Sequence, residues 1–429
     1  MNDREAEALL QSLLDAARRA GADAADAVLY RSVSSGVSWR LGKLEDVERA
    51  EGRDLGLRIL FGRRQASVST TDLTPEAVAE LVARCAAMAK APFPDLDPGD
   101  FDEPPTETLK ARAAECEAAA LAVEGVVNSS GAGASYGEGR KWFATSDGFF
   151  GASGGSRHSV SVSVLAQDAN GMERDYDHDS KTHAADLRNP GEVGRRAGLR
   201  AVERLSPRKL KSRTAPVIFD KRLSDSLLDD LAGAVHGGAI ARGVSFLKDK
   251  RGARIFPKGV DVIDDPHVRR GHGSRPFDGE GVAAQRIKLI DDGVLTDWLM
   301  NSAHARQLGL ETNGRATRGV SGAPGAGPTN LYLPNGALSP AALMAKAGAG
   351  LLVTDMFGPQ INSNTGDYSV GCSGFWFEGG AAAYAVSEIT IAGNLLDMFA
   401  AIEPADDLEF LGAVNAPTLL VGDMTIAGD

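Results

Sequence analysis

Two strand-like runs separated by a pair of glycines constrain this chain more than any other feature. Ser369 to Glu378 and Ala382 to Ile391 are rich in apolar residues, and Gly379-Gly380 between them suits a tight hairpin turn. Aromatic residues make up only 6% of the chain, so Phe375, Trp376 and Phe377 standing together are a local excess. That much apolar surface in a paired hairpin must pack against other elements, which places the centre of the C-terminal half here. Ala392-Gly393-Asn394 closes the second run, and Leu395 to Ala401 reads as a helix.

Upstream, residues 4–20 carry Ala6, Leu9, Leu10, Leu13, Leu14 and Ala17 at helical spacing, with Gly21 as a stop. Strand-like segments follow near Ala25–Arg31, Gly36–Leu41, Leu55–Phe61 and Gln65–Thr70, with Gly62-Arg63-Arg64 as a turn. Thr74-Pro75 opens a second helix that runs to about Lys90. Residues 92–105, rich in Pro and Asp, form the clearest linker.

The order then repeats: a helix near Thr108–Val123, strand-like runs near Val126–Tyr136, Lys141–Ser146, Ser156–Gln167 and Met172–Asp177, and a helix near Glu192–Leu205. This predicts an α+β chain of two domains. Residues 1–205 form the first, a duplicated helix–four-strand–helix unit (1–91 and 106–205). Residues 206–429 form a β-rich, barrel-like second domain with flanking helices, including Ser302–Leu308 and Pro340–Ala347. At 429 residues, two domains are also what length alone leads one to expect.

The net charge of −12 argues against broad nucleic-acid binding. The basic run Arg195–Arg213 has a spacing that suits the solvated face of a helix. Three widely spaced cysteines give neither a zinc pattern nor a disulfide framework, so a reducing compartment is expected. The polar N-terminus is unlike a secretory signal, and no apolar run approaches the ~20 residues that span a bilayer. A cytoplasmic protein without membrane contact is the expectation.

Several residues invite a chemical reading. Cys372 would need a positioned base to act as a nucleophile, and His236, His267, His272 and His304 are remote from it in sequence; its small neighbours suit a buried, inert thiol. Asp175, Asp177, Asp179 and Asp186 match positions of a calcium loop, but Ser180 replaces the required glycine, leaving a solvated acidic hairpin end. His267 and His272 share a loop whose opposite charges can pair at the surface. Gly319–Pro328 lacks a phosphate-loop ending and reads as a flexible surface loop.

Thr365-Gly366-Asp367-Tyr368-Ser369, Ser373-Gly374-Phe375-Trp376, Ile391-Ala392-Gly393-Asn394-Leu395, Pro276-Phe277-Asp278-x-Glu280-Gly281-Val282 and Met424-x-Ile426-Ala427-Gly428 together are specific. By these motifs the chain resembles the TldD/PmbA family and, within it, the PmbA (TldE) branch, strongly from Val217 onward and more loosely before. The TldD branch carries a helical HExxxH zinc motif, with a cysteine near the C-terminus as third ligand. Here the matching positions hold Leu228, Asp229 and Gly233, and the cysteine position falls near Asn415-Ala416. Neither Leu228 nor Gly233 can bind zinc, and Asp229 is a methylene shorter than the glutamate it replaces.

The resemblance therefore implies a subunit with no catalytic or metal residue of its own and no cofactor. It would pair as a heterodimer with a zinc-bearing TldD-type partner to form a peptidase acting on unfolded or extended peptides. An older label ties the family to modulation of DNA gyrase. Thr365, Gly366, Asp367, Tyr368, Ser369, Ser373, Phe375 and Trp376 are the candidates for a substrate channel or interface, bordered by Gly319–Pro328. The alternative is a stand-alone binding or scaffolding protein, a homodimer without proteolytic activity.

Overall fold

The computed structural model describes residues 2–19, 24–61, 64–70, 95–146 and 149–428. The helix expected near 74–90, the start of the 92–105 linker, Gly21 and the Gly62-Arg63 turn lie outside the described residues.

Strands β1 (Ala24–Arg40), β2 (Lys43–Phe61), β3 (Arg64–Thr70), β4 (Val126–Thr145), β5 (Phe150–Gln167) and β6 (Met172–Lys181) form one antiparallel sheet in the order β3-β2-β1-β4-β5-β6. The two expected repeats thus meet through their first strands. Each contributes three described strands rather than four. Ser32–Ser35 and Gly137–Arg140, rich in serine and glycine, read as breaks, yet each stretch is paired on both sides, so β1 and β4 run straight through. Ladder hydrogen bonds on two edges outweigh weak local strand preference.

One face of this sheet is covered by helices. Leu10, Leu13 and Leu14 of the Asp3–Arg19 helix pack on Ala27, Leu29 and Trp142. The Thr106–Leu121 and Pro190–Glu203 helices cover Val160, Val162 and Val164, the inward half of the alternating run in β5. These two helices approach closely because Gly194 has no side chain: a Cβ there would sit 1.9 Å from the Cys116 carbonyl oxygen. The acidic linker is pinned at several points. Asp100 binds His158 Nε2 at 2.8 Å and accepts from the Ala184 N–H at 2.9 Å, and its pKa is held at about 2, below normal despite partial burial.

The second half is built on β7 (Arg213–Phe219). Short strands β8 (Val262–Asp264), β9 (Ile287–Asp291), β10 (Val294–Leu295), β11 (Ala316–Thr317), β12 (Gly325–Ala326) and β13 (Leu331–Tyr332) follow. Then come β14 (Ala349–Ile361), β15 (Asp367–Glu378), β16 (Ala381–Asn394), β17 (Glu403–Pro404), β18 (Val414–Asn415) and β19 (Leu419–Ala427). β7, β14, β15, β16 and β19 close into a five-stranded barrel, since β19 pairs with both β7 and β16. Closure removes the free edges that an open sheet of this size would expose.

The opening hairpin lies at the barrel's centre. Gly379 and Gly380 have φ of +61° and +91°, the left-handed pair a two-residue turn needs. Tyr368, Val370, Cys372 and Trp376 point inward at alternate positions, into the large core shared with Phe219, Leu228, Leu351 and Ile391. The helices Ser302–Leu308, Pro340–Ala347 and Leu395–Ala401 fall at the bounds read from sequence, each opened by a side-chain cap from Asn301, Ser339 or Asn394. Among the described residues no helix is long and apolar enough to cross a membrane.

Candidate functional site

The site begins with the Asp225–Ala234 helix, whose apolar stripe (Leu227, Leu228, Leu231) faces the core. Leu228 is fully buried, so its position points away from any metal a solvent-facing ligand could hold. Asp229 and Gly233, one turn apart, share the outer face, and a Cβ at Gly233 would meet only open space. Asp225 and Asp230 flank them. Burial, with Asp229 adding its charge, pushes both carboxyls up to about 6, and burial also raises Asp229. No lysine or arginine pairs with these three carboxylates among the described residues.

Tyr368 of β15 lies beside this helix. It is buried, its hydroxyl contacts the Met356 sulfur at 3.6 Å, and burial with Asp230 nearby raises its pKa. Asp367, Tyr368 and Ser369 line a surface groove of about 540 Å³ together with Gln360–Ser363, the stretch beside which they pair in the sheet. Thr365 and Asp367 themselves form a clasp. The Asp367 carboxylate accepts from the Thr365 hydroxyl at 2.6 Å and from the Asn394 amide at 3.2 Å, which holds its pKa below normal. Asn394 also caps the Leu395–Ala401 helix, and Gly366 turns the chain at φ +81° against Phe246. The recognisable motif is therefore first a brace that fixes the groove's floor.

The other candidates lie elsewhere. Phe375 lines a different cleft of about 510 Å³ with Asp175, Arg222, Thr354 and Tyr384, about 20 Å along the strand from Tyr368. Trp376 is buried, donates to Glu378 at 2.9 Å and is stacked by Arg213. Ser373 is buried and accepts from the Arg204 guanidinium at 2.5 Å.

That last contact exposes a network absent from the sequence reading. Asp175, Asp177 and Asp179 alternate along β6 and are all buried, not a solvated hairpin end. Arg200 and Arg188 pair with Asp177, while Arg204 reaches Asp175 and Asp355. Arg222 reaches Asp175 at 2.8 Å and Asp220 at 3.4 Å. Burial alone would raise Asp177; the arginines hold it below normal. The basic helix face is thus turned inward, because its i, i+4, i+8 arginines meet acids spaced two apart on the neighbouring strand. Matching those two periodicities was the available signal. Asp186, the fourth member of the calcium-loop spacing, pairs instead with Arg270.

Burial pushes the Cys372 thiol up to about 12, leaving it protonated and unreactive. His267 is exposed, but the charges of its loop do not pair with one another as expected: Arg269 and Arg270 reach Asp97 of the linker, Asp265 pairs with Arg286, and Asp264 is buried against Arg315. Gly319–Pro328 is not a free loop. Val320 packs beside Val28, Phe143 and Phe277, and Asn301 binds the Pro324 and Gly325 carbonyls.

Models of the PmbA/TldA metallopeptidase match this chain in three consecutive pieces: domain 1 over 25–89, the central domain over 99–205 and the C-terminal domain over 212–428. The chain belongs to the PmbA/TldD metallopeptidase family. It is 36% identical to the metalloprotease PmbA of Escherichia coli O157:H7, across 95% of this chain and 92% of that one. It is 34% identical to a PmbA homologue of Haemophilus influenzae, across 100% and 97%. A Bacteroides thetaiotaomicron structure described as a putative modulator of DNA gyrase superposes over the whole of both chains with a TM-score of 0.89 at 25% identity. TldE from Thermococcus kodakarensis shares the fold, with a TM-score of 0.85 at 18% identity over 96% of this chain and 98% of that one.

A metallopeptidase raises the question of where a metal would sit. At the helix where the sequence resemblance would put a zinc motif the residues do not fit a metal: Leu228 is aliphatic and inside the core, Gly233 has no side chain, and Asn415 spends its amide on Leu411 and Gly412. Among the described residues no group of three or more His, Cys, Asp or Glu side chains converges as a metal site.

Proposed function

We propose that this chain is the non-metal subunit of a TldD/TldE-type metalloprotease complex, pairing with a zinc-bearing TldD-type protein to cut unfolded or extended peptides. The observation that carries this reading is the Asp225–Ala234 helix, which holds a buried leucine at Leu228 and a bare backbone at Gly233 where two metal ligands would be needed. Its contribution is architectural. The barrel fixes the groove beside Gln360–Ser363, where Ser369 and Asp367 present a surface to an extended chain, the inward Tyr368 anchors the strand in the core, and the Asp367–Asn394 clasp keeps that surface rigid.

The end of β14 supports a partner surface. Phe357 and Ile361 are large apolar residues left 54% and 39% exposed beside the groove, where a lone chain gains nothing from exposing them. Co-purification with a TldD-type protein tests this reading. The wild-type chain should be retained by the tagged partner, and Phe357→Asp should lose retention while keeping its own melting temperature. Equal retention of both proteins, or none of either, would contradict it. Recovery of the wild type solely as a self-associated dimer would favour the stand-alone scaffold instead.

A further inference from the structure

The N-terminal sheet carries a second cleft on the face opposite its helices, between the sheet and the C-terminal half, with a volume of about 630 Å³. That size suits a small-molecule ligand. Its floor follows from strand register. Gly139 lies opposite Ser32 on one side and Gly155 on the other, and Gly137 lies opposite Ser34 and Arg157. Lys141 lies opposite Tyr30 and Ser153. Period-two geometry puts all of these on one face. The glycines and serines leave a shallow bed, the Tyr30 ring lies across it over Gly139, and Lys141 and Arg157 stand beside it. The Gly271–Arg275 loop and Arg318 complete the lining.

The charge balance of this cleft is one-sided. Lys141, Arg157, Arg275 and Arg318 all line it, against one lining carboxylate, Glu138, which is already held by Arg31 and the Tyr136 hydroxyl. Asp26 is shared between Arg318 and Arg58, and Asp278 accepts the backbone N–H groups of Glu280, Val282 and Ala316. The Lys141 ammonium has neither a hydrogen bond nor an ion pair among the described residues, and burial, with Arg275 and Arg318 adding their charge against an opposing Asp278, pushes its pKa down to about 8. The Nε groups of Arg275 and Arg318 are buried with no acceptor among the described residues, and the Arg318 side chain is fully enclosed. Arg157 is oriented by His272, whose Nδ1 accepts from it at 3.1 Å while Nε2 donates to the Ser180 carbonyl at 3.0 Å. The Arg275 and Arg318 Nε groups have no accessible surface and do not open onto the cleft; the donors it offers a ligand are the unpaired Lys141 ammonium and the Arg157 guanidinium, and an unanswered donor in a partly buried site is shaped for an acceptor oxygen.

We propose that this cleft binds a small molecule through an oxyanion, either a carboxylate or a phosphate group, held by Lys141 and Arg157 over the glycine and serine bed. This goes beyond the peptidase reading and does not depend on a partner subunit. Calorimetric titration of the full chain with inorganic phosphate, with succinate and with neutral succinamide tests it. Saturable one-to-one binding of phosphate, succinate or both is expected, with none for succinamide; whichever anion binds identifies the group. Lys141→Met should weaken that binding at least tenfold. Because a buried methionine could perturb the sheet, Arg157→Gln, at the cleft's rim, should weaken it as well, and Lys141→Arg should restore it. No saturable binding of either anion, or unchanged affinity in both Lys141→Met and Arg157→Gln, would overturn the proposal.

Discussion

The Arg204 guanidinium donates to the Ser373 hydroxyl at 2.5 Å, tying the C-cap of an N-terminal-half helix to the middle of the barrel's central strand. The same guanidinium faces Asp175 at 3.3 Å, Asp355 at 3.2 Å and Glu173 at 3.6 Å. One buried cation thus answers acids from both halves of the chain. Removing it strands them, and breaking a buried ion pair costs about 3–5 kcal/mol. Arg204→Met should therefore lower the urea-unfolding free energy by that amount, whereas the exposed pair partner Lys209→Met should change it by under ~1 kcal/mol. Equal, small losses in both variants would remove Arg204 from this role.

The Asp225–Asp230 face should show in the pH profile of stability. A carboxyl with a higher pKa folded than unfolded binds more protons when folded, so its contribution falls as pH rises between the two values. For Asp225 and Asp230 that window runs from 3.8 to about 6. The double variant Asp225→Asn/Asp230→Asn should melt higher than wild type at pH 7.5, and the two curves should converge toward pH 4. Thermal scans across that range decide it; a wild type that melts above the variant at pH 7.5 would contradict the assignment.

Cys372 should be inert in the folded chain. With its thiol pushed up to about 12 and its side chain fully buried, iodoacetamide at pH 8 should leave it unmodified until denaturant is added. Peptide mapping by mass spectrometry reads this directly. Rapid labelling of Cys372 in the native protein would revive a nucleophile.

What could be read from the sequence was local. The Gly379-Gly380 hairpin and the helices opened by Asn301, Ser339 and Asn394 are specified by the residues that build them, and their bounds follow. What escaped was long-range. Ser32–Ser35 and Gly137–Arg140 look like breaks until the strand lying on each side is known. The arginines of 196–204 look solvated until β6, some twenty residues earlier, presents Asp175 and Asp177 to them. The candidate motif was legible as letters but not as places. Thr365 and Asp367 brace a turn, Tyr368 and Ser369 line a groove, and Ser373 and Phe375 face the other half of the chain.

If this chain is the non-metal subunit, peptide cleavage should require a metal seat that its described residues do not hold. Casein cleavage by the purified chain, alone and mixed with a TldD-type zinc protein, measures it most directly. The chain alone, with zinc supplied, should cleave no casein, and the mixture should cleave it well above the rate of the zinc protein alone. Digestion of casein by the lone chain, or full activity of the zinc protein without it, would contradict a non-metal subunit role for this chain.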